Sequence, residues 1–148
     1  MGSTGLAAVF AFCAGLGGAV QIAVQSRLGD RVGSIEALAC AAIVSAVCAT
    51  AVLLVARGGV GSIGSGFSGP KWQLLGGVMS ALIVLSITVA GPRIGIVATT
   101  AMLIAGQFIL ATAIDRFGLF GVERVAVSWP RLLGLALLAA GAVLTLRR

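Results

Sequence analysis

Residues 72–114 read WQLLGGVMSALIVLSITVAGPRIGIVATTAMLIAGQFILATAI, two apolar runs with a single charge, Arg93, between them. An α-helix rises about 1.5 Å per residue, so about 20 residues cross the roughly 30 Å of bilayer hydrocarbon, and each half of this stretch is that long. Working outward, runs free of Asp, Glu, Lys and Arg recur at residues 2–26, 37–56 and 132–146. The last is short, and spans when residues 129–131 are added at one end and Arg147 and Arg148 snorkel at the other. The expected fold class is therefore all-α integral membrane, one transmembrane domain over residues 1–148 with spans at about residues 4–26, 35–56, 71–90, 94–114 and 130–146. At 59% hydrophobic residues, no segment is polar enough to make a second domain.

A net charge of +6 would raise nucleic acid as a partner if the cations were clustered. They sit singly at span ends, where they anchor helices at the interface and meet anionic lipid headgroups. No Lys or Arg precedes the first run, which is also longer than a signal-peptide core, so it is expected to stay in the mature protein. Cys13, Cys40 and Cys48 all fall inside apolar spans and read as small packing residues. With no His and no Cys-x-x-Cys, metal and cofactor ligation lack their usual groups. No nucleophile with a base and no phosphate-cradling motif appears, so neither an enzyme nor a cofactor is expected.

With five crossings, one side of the membrane carries Arg27, Arg31, Arg93, Arg147 and Arg148, and the other carries Arg57, Lys71, Arg116, Arg124 and Arg131. Orientation follows the Lys and Arg bias of short loops, and five against five leaves that rule without a preference. The chain is expected to insert both ways up.

Between the spans, Ser34 is positioned to cap the second helix, with Glu36 in its first turn. Residues 58–69 hold six glycines and three serines and read as a mobile surface loop ended by Pro70. Lys71 and Trp72 suit the interface, as does Trp129. Gly91, Pro92, Arg93, Ile94 and Gly95 read as a tight hairpin in which proline blocks the helix. Residues 115–129 form a mixed, partly interfacial connection. In the last span Gly134, Gly141 and Thr145 make a small-residue stripe suited to a dimer contact.

Ala14, Gly17, Gly18, Gln21 and Gln25 share one face of the first span, and Thr100, Gln107, Ala111 and Asp115 share one of the fourth. Two amide-bearing faces in one small bundle suggest a common polar interior. Gln21, Gln25, Thr100 and Gln107 are the candidate substrate-binding residues, because an amide in hydrocarbon must find partners and can both donate and accept. The alternative is an interhelical hydrogen bond that only holds the bundle together. Asp115, at the end of a span, is a possible proton or ion site, or else the partner of Arg116, Arg93 or Arg124. Thr99, Thr100, Ser80 and Ser86 are expected to bond to carbonyls of their own helices.

The run Gln21-Ile22-Ala23-Val24-Gln25-Ser26-Arg27-Leu28, the segment Gly91-Pro92-Arg93-Ile94-Gly95, the triplet Ala105-Gly106-Gln107 and the segment Asp115-Arg116-Phe117-Gly118-Leu119-Phe120-Gly121 together resemble the YdcZ-type, five-span branch of the drug/metabolite transporter superfamily. The chain departs at two places: Gln25 stands where Asn is usual, and Arg116 where a His is usual, so a proton role for that His does not carry over. The resemblance implies a multi-pass protein of the bacterial inner membrane. In that superfamily the full architecture resembles two five-helix repeats of opposite orientation around a central site. One copy of this chain would supply half, and an antiparallel homodimer of ten helices the whole.

The related small multidrug resistance family exchanges protons for cationic drugs through a glutamate in the first span, and residues 2–26 contain no acid. A small polar or amphipathic solute is the better-matched cargo, moved by alternating access. The alternative is a non-transporting membrane subunit that packs against an oppositely oriented paralogue.

Overall fold

The computed structural model describes residues 3–146 and is helical in all five apolar stretches. The helices are α1 (Ser3–Val32), α2 (Ser34–Arg57), a short α3 (Ser62–Ser68), α4 (Leu75–Ile94), α5 (Ile96–Phe117) and α6 (Trp129–Leu146). A 3-10 turn at Lys71–Leu74 leads into α4 and another at Leu119–Gly121 follows α5. All but α3 are long and apolar enough to cross a membrane. Arg147 and Arg148, counted above on one side of the membrane, lie outside the described residues.

Several boundaries differ from those expected. The first helix runs on through Arg27, Asp30 and Arg31 to Val32, at 30 residues well beyond the need of the hydrocarbon; past the interface its charges meet water, and nothing stops the helix before Gly33. The second starts at Ser34, but Gly33 occupies the cap position and no side chain caps it. Ser34 is thus the first helical residue, not the cap. The glycine-rich segment is not a plain loop, since α3 forms within it and Ser68 Oγ donates to the Gly64 carbonyl at 3.0 Å.

Pro92 does not end its helix, which continues through it to Ile94. A proline in the last turn removes one hydrogen bond, that to the Thr88 carbonyl, and the preceding turn holds the helix together. The break falls at Gly95, with φ 86 and ψ 163. Gly33 between α1 and α2 has nearly the same backbone, φ 102 and ψ 152, a region open essentially only to glycine.

The chain forms two compact units, one of the described residues up to Ala19 together with those from Ile94 onward, the other Val20–Arg93. In the second, α1 and α4 meet through glycine. A Cβ on Gly91 would collide with the Ser26 hydroxyl, and one on Gly29 would collide with the Thr88 methyl. These contacts are equivalents. The segment Ser26-Arg27-Leu28-Gly29-Asp30-Arg31-Val32-Gly33 matches Thr88-Val89-Ala90-Gly91-Pro92-Arg93-Ile94-Gly95, sharing a hydroxyl residue, two glycines, an arginine and a β-branched aliphatic in the same order. Exchanging the segments turns the Ser26–Gly91 contact into the Thr88–Gly29 contact. The match extends to the helix that follows each joint: Ala37 N–H donates to Gly33 and Thr99 N–H to Gly95, both at 3.0 Å, and both residues are buried.

In the other unit α5 packs along α6. Ala98, Thr99 and Ala105 are buried on α5 and Ala142 on α6, so this unit's core is made of small side chains, as expected where helices associate by close approach in lipid.

Candidate functional site

An open groove of about 490 Å³ lies in the unit that contains α5 and α6. Val97, Thr100 and Ile104 wall it from α5, and Leu138, Gly141 and Thr145 from α6. Gly141 makes room, and the stripe read from sequence as a dimer face thus supplies two residues, Gly141 and Thr145, to a groove within the chain.

Only hydroxyls give the groove polarity, and their protons are already committed. Thr100 Oγ1 donates to the Ile96 carbonyl at 2.8 Å, and Thr145 Oγ1 to that of Ala142 at 2.7 Å. Each oxygen keeps lone pairs, so the walls can accept hydrogen bonds and not donate them. Such a groove suits a largely apolar body carrying a donor. Thr99 and Ser86 bond to their own helices as expected, to Gly95 and Leu82, both at 2.8 Å.

Of the four candidate substrate-binding residues, Thr100 alone lines the groove. Gln107 lies on the same stripe of α5, two turns from Thr100, and its side chain is exposed. Gln21 and Gln25 belong to the Val20–Arg93 unit. There Gln21 is exposed, whereas Gln25 is only 6% exposed and Ser26 7%. Gln25 Nε2 and Ser26 Oγ have no hydrogen-bond partner. A buried donor left unpaired costs about 1–3 kcal/mol, so these adjacent groups mark a place where stability is given up.

Asp115 takes a partner that the sequence reading did not consider. Arg131 Nη1 donates to its Oδ2 at 3.1 Å, from the first turn of α6 to the last turn of α5. Val125 N–H donates to the Asp115 carbonyl at 2.9 Å and folds the connection back along the end of α5. No spacing rule links residues 16 apart across an irregular connection, so neither Arg131 nor Thr145 was legible as a site residue. Among the described residues no group of His, Cys, Asp or Glu is arranged to hold a metal ion.

Five apolar helices long enough to cross a membrane, with amides and hydroxyls placed along them and an open groove beside α5 and α6, define a multi-pass α-helical membrane protein. Residues 6–144 match the family model described as "putative inner membrane exporter, YdcZ", and the chain belongs to this family, as a multi-pass protein of the inner membrane. Neither a curated protein nor a solved structure matches the chain significantly.

Proposed function

We propose that the protein is a secondary transporter that exports a small amphipathic solute by alternating access, working as an antiparallel homodimer. The observation that carries this is the exposure of Gln21 and Gln107 on helices that cross hydrocarbon. An amide facing lipid loses its hydrogen bonds, so these positions favour a second chain or a solute against them. The even division of Lys and Arg supports two copies inserted in opposite senses, and with five spans each the pair has the ten helices of an inverted-repeat transporter. Thr100 and Thr145 accept from the solute's donor while the apolar wall of the groove takes its body, and the amides of Gln21, Gln25 and Gln107 are further candidate solute contacts. Asp115, held by Arg131, orders the junction between α5 and α6.

The test is counterflow of amphipathic solutes in proteoliposomes, with Gln21→Ala, Gln107→Ala and Thr100→Val compared with the unaltered chain. Saturable transport lost in these variants, with folded yield retained, supports the proposal. Flux that never saturates sinks it. Transport that appears only when an oppositely inserted paralogue is co-reconstituted replaces the homodimer with a heterodimer.

A further inference from the structure

At the end of α5 the chain builds a second concavity. Gly118 terminates the helix in the left-handed region, φ 63 and ψ 37, with its N–H on the Ile114 carbonyl at 2.8 Å. Phe120 and Gly121 also have positive φ, 59 and 78, and turn the backbone sharply before it extends from Val122. The Val125–Asp115 hydrogen bond then fastens the returning segment beside the last turn of α5. Arg124 lies over the helix end so closely that a Cβ on Gly118 would stand 2.6 Å from its Cγ and 3.1 Å from its Nε. The result is a cavity of about 480 Å³ walled by Arg116, Phe117, Arg124, Val125 and Ala126.

Two guanidinium groups therefore border one space with no carboxylate in its wall. Asp115, next in sequence to Arg116, is engaged by Arg131, and neither it nor Glu123 is among the lining residues. The carbonyl end of α5 offsets some of the positive charge, through the partial negative charge of a helix C-terminus. It does not replace a counter-ion, because a half-charge at a helix end is smaller than the two full charges of Arg116 and Arg124, both of which stay exposed and open to an anion. The other three walls are apolar, and the cavity sits where a spanning helix leaves the hydrocarbon.

We propose that this cavity binds the phosphodiester headgroup of an anionic phospholipid, with Arg116 and Arg124 on the phosphate and Phe117, Val125 and Ala126 against the glycerol and upper acyl carbons. Guanidinium matches phosphate geometrically through paired N–H donors, and basic pockets at span ends take anionic headgroups. The proposal stands independently of transport, since it concerns lipid retention by the folded chain.

Native mass spectrometry of the full-length protein in mild detergent tests it, with phosphatidylglycerol and phosphatidylcholine titrated separately and inorganic phosphate as a third arm. The expected result is preferential retention of phosphatidylglycerol, weakened about 10-fold by Arg116→Gln or Arg124→Gln, the loss of one charge-assisted contact. Arg57→Gln, a cation at another span end, leaves retention unchanged. Should Arg116→Gln fail to fold, Arg116→Lys keeps the charge but not the fork, and is expected to retain less lipid than the unaltered chain. Retention unaffected by the Arg116→Gln/Arg124→Gln double variant, or reduced equally by Arg57→Gln, overturns the site. Equal retention of both lipids does so too, and displacement by millimolar phosphate would show a free-anion site instead of a lipid site.

Discussion

Gly33 and Gly95 hold the backbone in a region that side chains exclude, and Gly95 does so with open space where a Cβ would go. Gly95→Ala thus isolates conformational strain from crowding and is expected to cost about 1–3 kcal/mol, read as a lower melting temperature in detergent. Gly33→Ala adds a collision with the Glu36 carboxylate and should cost at least as much. By contrast, the Asp115–Arg131 pair has side chains 33% and 42% exposed, and half-exposed ion pairs contribute at most about 1 kcal/mol. Asp115→Asn should therefore melt within a few degrees of the unaltered chain; a collapse of folded yield would show that the pair is buried in the assembled protein. At Thr100, replacement by valine keeps the shape, removes a hydroxyl whose proton serves only the Ile96 carbonyl, and deletes the acceptor the groove offers. The expected outcome is an unchanged melting temperature with reduced solute counterflow.

At the scale of elements, the repeated segments at 26–33 and 88–95 make α1 and α4 complementary to each other through the same pair of features, a hydroxyl residue meeting a glycine three positions beyond its own counterpart. This has a measurable signature. Gly91→Ala drives a methyl into Ser26 and should cost about 1–3 kcal/mol as an overpacked contact, while Ser26→Gly in the same chain restores much of the loss. Gly29→Ala is rescued in the same way by Thr88→Ser, which removes the offending methyl and keeps the hydroxyl that donates to the Val84 carbonyl at 2.8 Å. The mismatched combinations, Gly91→Ala with Thr88→Ser and Gly29→Ala with Ser26→Gly, should show no rescue. A pattern in which every second substitution helps equally would mean that the crossing is merely loose. The helical periodicity of neither segment announced this contact. In sequence Arg31 and Arg93 read as interface anchors and Pro92 as a helix stop, whereas a proline's effect depends on which turn it occupies.

For the whole molecule, the expected outcome of fusing a C-terminal reporter active only in the cytoplasm, and separately one active only outside it, is signal from both. Signal from one alone would remove the antiparallel homodimer. Five membrane helices were legible from the chain because burying backbone in hydrocarbon demands long charge-free runs, and residues such as Arg27, Arg57 and Arg93 punctuate them plainly. The same physics conveys the lipid-facing character of the chain and its family likeness. Pairing between distant residues was another matter. That Asp115 meets Arg131, that Thr145 joins Thr100 in one groove, that Arg124 folds over Gly118 beside Arg116, and that Ser26 fits against Gly91 all depend on which helix faces lie together and how a connection returns. In an apolar chain nearly every face is hydrophobic enough to be either lipid-facing or buried, so composition cannot choose among them. Close packing of glycine, alanine and hydroxyl side chains makes that choice, and it exists only once the helices have come together.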